Sequence, residues 1–307
     1  MRPALKSGLL PVWRDRDTLQ IGIDPRRAVA LSGMSQAAIL VGLLDGSRDR
    51  DQVLAAAAGR GIPAPITERI LTLLAAGGAL DDFPASTLRE LPPPLRGRLA
   101  AELATASLVY GDGDGGARYL ARRRSALVRI DGERRIGRSV ARILRAAGVG
   151  RVRAGPARDL AAAPRPALVV LVGRPPLATA DQLVRDRVPH LAVSATEAIG
   201  VVGPLVVPGR TACLRCLDYF RAGSDPAWPL ILAQLSSRQP DPPACDAALA
   251  AAVAAQAAAQ ALIAIDQTPV SSAAANGTLE LVLPGWQWRR RTWLPHPGCP
   301  CAGHTVR

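Results

Sequence analysis

Cys213-Leu214-Arg215-Cys216 and Cys299-Pro300-Cys301 hold four of the chain's 5 cysteines in two tight pairs. Cysteines this close can turn their sulfurs toward one point, and two such knuckles make a tetrahedral thiolate cage for zinc. With every ligand a cysteine, no position is left for water, so the metal would be structural rather than catalytic. Disulfides are the competing reading. The Cys299-Pro300-Cys301 knuckle leaves little chain for a bridge, and no apolar signal segment opens the sequence, so an oxidising compartment is not implied. The fifth cysteine, Cys245, precedes a long Ala-rich stretch and so stands at a helix N-terminus, where a thiol can become nucleophilic. The plainer reading is a small, inert, partly buried side chain. His190, His296 and His304 are too scattered for a triad, although His296 lies close enough to Cys299 to replace one sulfur.

Elements must hold these groups in place, and 307 residues with 49% hydrophobic content provide for a large core and two domains. The net charge of +13 is carried by arginines spread along the chain, not gathered in a stripe with aromatics. That distribution argues against nucleic acid and suits a solvated surface or an acidic peptide partner. The apolar run from Ala247 to Ile265 is interrupted by Gln256 and Gln260, so it reads as a buried helix, not a membrane span. A cytoplasmic protein with no membrane partner is expected. Pro84, Pro92, Pro93 and Pro94 crowd one stretch and predict a linker over residues 84–98, dividing residues 1–83 from 99–307.

The N-terminal part reads as strands at Leu9–Trp13, Thr18–Ile23 and Ala28–Leu31, followed by helices at Ser35–Leu44, from Asp49 to Ala58 and at Ile66–Ala75. Leu80 to Asp82 then returns as an extended segment. A small sheet and three helices make a winged-helix arrangement. Its usual partner is DNA, but Pro65–Ala76 offers only Thr67, Glu68, Arg69 and Thr72 to base edges. The words Leu10-Pro11-Val12-Trp13-Arg14, Leu19-Gln20-Ile21-Gly22, Leu43-Leu44-Asp45-Gly46 and Gly78-Ala79-Leu80-Asp81 resemble the leader-peptide recognition domain of azole-forming peptide pathways. The resemblance covers residues 5 to 83. It implies that a leader peptide adds as an extra strand, in the groove between the third strand and third helix.

The C-terminal part opens with a helix from Arg98 to Leu108 and a Gly/Asp loop, Gly111–Gly116, that lacks ligand spacing and reads as a plain linker. A strand at Ser125–Ile130, a turn through Asp131 to Gly137, a helix at Arg138–Ala147 and a strand at Arg151–Arg153 form the opening of a nucleotide-binding α/β fold. The glycines Gly132 and Gly137 would mark its phosphate loop, but Glu133, Arg134 and Arg135 fill the space between them. Long side chains there obstruct the close approach of backbone amides to phosphate, although the arginines could attract it. Ala167–Val172, Leu191–Ser194 and Ile199–Val207 are apolar runs expected of strands buried on both faces. Trp286, Trp288 and Trp293 alternate with charge as ordinary sheet packing does.

This order, with Ala147-Gly148-Val149-Gly150, Gly200-Val201-Val202-Gly203-Pro204-Leu205-Val206-Val207-Pro208-Gly209 and then the first cysteine pair, resembles the adenylation fold of the ThiF and MoeB proteins. The resemblance covers residues 100 to 303. It implies that the helix Cys245–Ile265 forms a dimer, that Leu294 to Cys301 is a second zinc knuckle, and that Cys245 occupies the place of a sulfur- or thioester-carrying cysteine. It also implies groups that this chain lacks. Arg153 is followed by Ala154-Gly155-Pro156 where a ribose-binding acid belongs, no lysine follows Lys6, and Gly173-Arg174-Pro175 stands where a magnesium-binding Asp belongs. Nothing is then left to neutralise a triphosphate.

The expected fold class is therefore α/β: a winged-helix domain followed by a Rossmann-like, ThiF-type domain with structural zinc. Both halves resemble the leader-peptide-binding, ThiF-like proteins of azole-forming peptide biosynthesis. That resemblance implies a homodimeric pseudo-enzyme, without ATP as cofactor, that captures a precursor peptide and presents it to a separate YcaO-type cyclodehydratase. The alternatives are an active adenylating or sulfur-transfer enzyme with Cys245 as carrier, and a DNA-binding winged helix.

Overall fold

The computed structural model describes residues 1–83, 91–132, 134–155, 164–235, 243–268 and 271–301, and the side chain of Arg134 is not among what it describes. The expectations placed on Pro84, Glu133, the Arg134 side chain, Pro156 and His304 lie outside these. The chain divides into two compact units, Met1–Ala121 and Arg122–Arg307.

In the first unit, β2 (Pro11–Trp13), β3 (Thr18–Ile21) and β4 (Val29–Ser32) form an antiparallel sheet in that order. Leu19, Ile21 and Leu31 alternate inward from it onto a core completed by α1 (Ala37–Val41), α2 (Arg50–Ala58) and α3 (Ala64–Ala76). Asp49 caps α2 through Gln52 N, and the Gln52 side chain returns the bond to Asp49 N, a reciprocal capping box. Gly77 lets the end of α3 approach β4, since a Cβ there would lie 2.3 Å from Val29 Cγ2. A strand absent from the sequence reading, β1 (Pro3–Leu5), pairs antiparallel with β5 (Leu80–Asp82).

Pro93 and Pro94 initiate a helix, α4 (Pro93–Arg98), where a linker is expected. Proline is accommodated in a helix's first turn because the N–H it lacks would have no partner there. Next come α5 (Ala100–Tyr110) and α6 (Ala117–Ser125), the latter also unforeseen. The chain's one lysine, Lys6, is 2% exposed. Its Nζ donates to Ser107 O at 2.6 Å and Oγ at 2.9 Å and pairs with Asp81 Oδ1 at 3.1 Å, while Ser107 Oγ donates to Asp81 Oδ2. This buried cluster fastens α5 to β5, so the first unit runs on to Ala121.

The second unit is built on a mixed seven-stranded sheet in the order β12-β11-β10-β9-β8-β6-β7. The strands are β6 (Leu127–Gly132), β7 (Arg151–Ala154), β8 (Leu168–Val172), β9 (His190–Thr196), β10 (Ile199–Val206), β11 (Gly277–Val282) and β12 (Gln287–Thr292). β7, β6, β8 and β9 run parallel and the rest is an antiparallel meander. One face is covered by α7 (Arg134–Ala146) and by α11 (Ala247–Asp266), whose Leu249, Val253, Ala257 and Ala261 are fully buried. This helix is long and apolar enough to cross a membrane, but half of it is buried in the unit's core, as the sequence predicts. Gln260, expected to mark it as a core helix, accepts from Ser272 Oγ at 2.6 Å. The opposite face carries α8 (Leu177–Arg185) and α9 (Leu214–Ser224), and α10 (Trp228–Leu235) follows with none of its residues buried. At the end of α11, the Asp266 carboxylate accepts Arg123 Nε at 2.9 Å and Nη2 at 2.7 Å, a fully buried bidentate pair.

Candidate functional site

Cys213 is the N-cap residue of α9, Cys216 lies in its first turn, and Cys299 and Cys301 follow β12 on the closing loop. The four sulfurs lie within 4.8 Å of one another, and none is in a disulfide. The separations are 3.7 Å for Cys213–Cys216, 3.6 Å for Cys213–Cys299 and 3.3 Å for Cys216–Cys301. A tetrahedral site with metal–sulfur bonds of about 2.3 Å has sulfur–sulfur edges of about 3.8 Å, so the four cysteines are close enough to hold a metal ion. Three of the sulfurs are buried among Val184, Val206, Leu217 and Trp293. The bond from the Cys213 thiol draws Cys216 down to about 4, burial pushes Cys301 up to about 12, and the bond to Cys216 together with burial raises Cys213 still further. Four sulfurs this crowded cannot all ionise against one another without a cation between them. His296 is not among them: its Nδ1 accepts from Gly298 N at 3.1 Å, and its ring stacks on Tyr219. Trp293 is buried beside the cysteines, whereas Trp286 and Trp288 stay 47% and 36% exposed, so sheet packing accounts only for the first.

The parallel strands leave a second place where chemistry is expected, the crevice beyond their carboxyl ends where β6 and β8 part company. The turn there is shorter than the sequence suggests. α7 starts at Arg134, so Gly137 lies inside the helix and not in a loop. Gly132, with φ +110°, has no room for a side chain: a Cβ would sit 1.7 Å from Val172 O of the neighbouring strand. This glycine is thus demanded by strand packing whether or not a phosphate ever approaches. β7 ends at Ala154-Gly155, and Arg174, following β8, reaches Asp218 at 3.4 Å. Cys245 is half-buried against the core; its Sγ lies 3.7 Å from Asp246 O, and its carbonyl accepts Arg135 Nη1 at 3.0 Å.

In the first unit, β4 pairs with β3 alone among the described residues, which leave its other edge open. Gly33 N donates to Asp17 O, and the alternation of antiparallel bonds then turns the N–H groups of Ala30 and Ser32 outward. Val29 is half-buried beside the end of α3, where Leu73 is 38% exposed. An edge strand flanked by apolar side chains can hold another extended chain through its backbone.

No protein-family model matches the chain, and none of the curated proteins matches it in sequence. Solved structures do match. It shares its fold with E. coli MccB. The structure of MccB with MccA-N7isoASN is matched at TM-score 0.68 and 16% identity over 99% of this chain and 100% of the other. MccB with AMPCPP and MccA gives TM-score 0.69 at 16% identity over 99% and 100% of the two chains. The heterocyclase TruD gives TM-score 0.71 at 18% identity, covering 98% of this chain and 42% of that one.

Proposed function

We propose that the chain captures a precursor peptide as an added β-strand and presents it to a separate enzyme, without catalysing a step itself. The observation that carries this is the free edge of β4, with outward N–H groups at Ala30 and Ser32 and the apolar rim of Val29 and Leu73. On this reading residues 1–83 are a winged-helix leader-recognition domain, held in one unit with α4 and α5, and residues 122–307 are a degenerate adenylation domain. MccB, crystallised with MccA, supports a peptide ligand for this fold, and TruD, a heterocyclase, supports a place in azole-forming biosynthesis. The partner would be a YcaO-type cyclodehydratase, the assembly a homodimer and the compartment the cytoplasm. Four thiolates are soft ligands that favour zinc over magnesium or calcium, and a closed sulfur cage would make that zinc structural.

Loss of adenylation is supported by Ala154-Gly155 and Gly173-Arg174 at the strand ends, where no carboxylate is available for ribose or magnesium at those positions. Fluorescence polarisation with peptides encoded beside the gene tests the capture. Tight binding of one of them, and a partner cyclodehydratase that slows without this chain, are expected; a chain that binds none and is dispensable to the partner would sink the proposal.

The second reading, an ATP-dependent adenylating enzyme, draws on the start of α7 immediately past β6, which aims a helix N-terminus at the crevice, and on MccB crystallised with AMPCPP. Pyrophosphate exchange into ATP in the presence of the peptide separates the two. Robust exchange selects the enzyme.

A further inference from the structure

A pocket of about 570 Å³ opens in the second unit between α9, the start of α10 and the chain leaving β12. Its walls include Phe220, Arg221, Trp228, Arg291, Trp293 and Leu294, with Asp225 as the one carboxylate among its lining residues. Arg221 lies over two indoles, 5.0 Å from the Trp228 ring and 5.6 Å from that of Trp293, and Arg291 lies 4.6 Å over Trp293. Arginine and tryptophan stacked this way are the residue types that dominate binding hot spots.

The carboxylates nearby are committed elsewhere. Asp218 is shared by Arg174 at 3.4 Å and Arg221 at 3.7 Å and also accepts Trp228 Nε1 at 3.1 Å. Asp225 accepts Ala227 N at 2.9 Å, and Glu280, across from Arg289 in the sheet, accepts Thr278 Oγ1. The Arg291 guanidinium makes no hydrogen bond or ion pair among the described residues; the Trp293 ring beneath it is the partner it has there. Burial lowers the pKa of Arg221; Asp218 opposes that shift, and Arg174 and Arg291 close by add to it.

Two features indicate what would fill it. Among the described residues β12 is the last strand of its sheet and pairs only with β11, and it is exposed along its whole length, so its outer edge can accept an extended backbone. Apolar surface stands open at the pocket: Leu294 is 63% exposed and Phe220 36%. A free nucleotide would use neither. We propose that this pocket and the β12 edge form a second recognition site, for an extended acidic polypeptide segment whose carboxylates meet Arg221 and Arg291 while its apolar side chains lie on Trp228, Trp293 and Leu294. The site shares no residue with the β4 edge and does not depend on the function proposed above.

The test uses the full chain and fluorescein-labelled peptides of alternating Glu and Val, the same peptide with Lys for Glu, and a single-stranded oligonucleotide. The Glu peptide is expected to bind, more weakly at high salt, and the Lys peptide not to bind. Arg291→Gln, on an exposed strand, should weaken binding about tenfold with an unchanged melting temperature, and Arg221→Gln should add to the loss. A variant confined to the β4 edge should bind the Glu peptide normally. The proposal is overturned by absence of Glu-peptide binding, by equal binding of the Lys peptide, by indifference to Arg291→Gln, or by tighter binding of the oligonucleotide.

Discussion

His190 begins β9 with no exposed surface, its Nδ1–H donating to Val188 O at 3.0 Å and its Nε2 without a hydrogen-bond partner. Burial holds its pKa near 4, against an ordinary 6.5. The ring is therefore neutral when folded and protonates more readily when unfolded, so it stabilises the fold fully above pH 6.5 and progressively less as pH falls toward 4. A shift of this size corresponds to at most about 3 kcal/mol. Denaturant melts of the protein and of His190→Leu should diverge in slope across that pH window, the variant being the flatter; parallel curves would refute the assignment. In the sequence, this histidine after Pro189 looks incidental, because burial depends on what flanks it, and its neighbours across the sheet are Val169 of β8 and Val206 of β10, both well outside its local stretch. The cysteines are the opposite case. Their spacing alone indicates convergence, since two short knuckles leave the sulfurs few other directions to point.

Among the elements, β4 carries the weight of the proposed peptide capture. Ala30→Pro removes an outward N–H while leaving the ladder to β3 intact, which an edge strand tolerates. The substitution should weaken capture of a bound leader peptide by about tenfold or more and shift the melting temperature little. Unchanged peptide affinity would move the binding surface elsewhere. The strands and helices of this region are legible because Leu19, Ile21 and Leu31 alternate, and because Asp49 and Gln52 announce the start of α2. β5 is legible as the extended segment Leu80 to Asp82, but its partner β1 is not, since short strands joined across most of a unit leave no local period. Nor is α6, whose Ala117–Ser125 run carries Arg122, Arg123 and Arg124 in its last turn, favourable to a helix dipole but lacking an apolar stripe. The prolines of α4 mislead for a different reason: the same ring that breaks a helix interior fits its beginning.

For the molecule as a whole, the cysteine cluster closes the second unit by joining α9 to the loop after β12. If zinc sits there, a chelator should lower the melting temperature of residues 122–307 markedly and spare peptide binding by the first unit. Metal analysis and a melt with and without chelator check this; a stable, metal-free protein with four reduced thiols would remove zinc from the account. Strands β6, β8, β9 and β10 and the long core helix follow from the apolar runs, and so does the α/β class, whereas β11 and the order of strands in the sheet do not. The shortness of the β6–α7 turn does not, because Gly132 answers to the carbonyl of Val172, a strand away in space. The sealed Lys6 has a practical corollary. With the chain's one lysine 2% exposed and engaged with Asp81 and Ser107, acylating reagents find no open lysine side chain while the first unit stays folded. Modification at residue 6 therefore reports the opening of that unit, and its rate times how often the unit breathes.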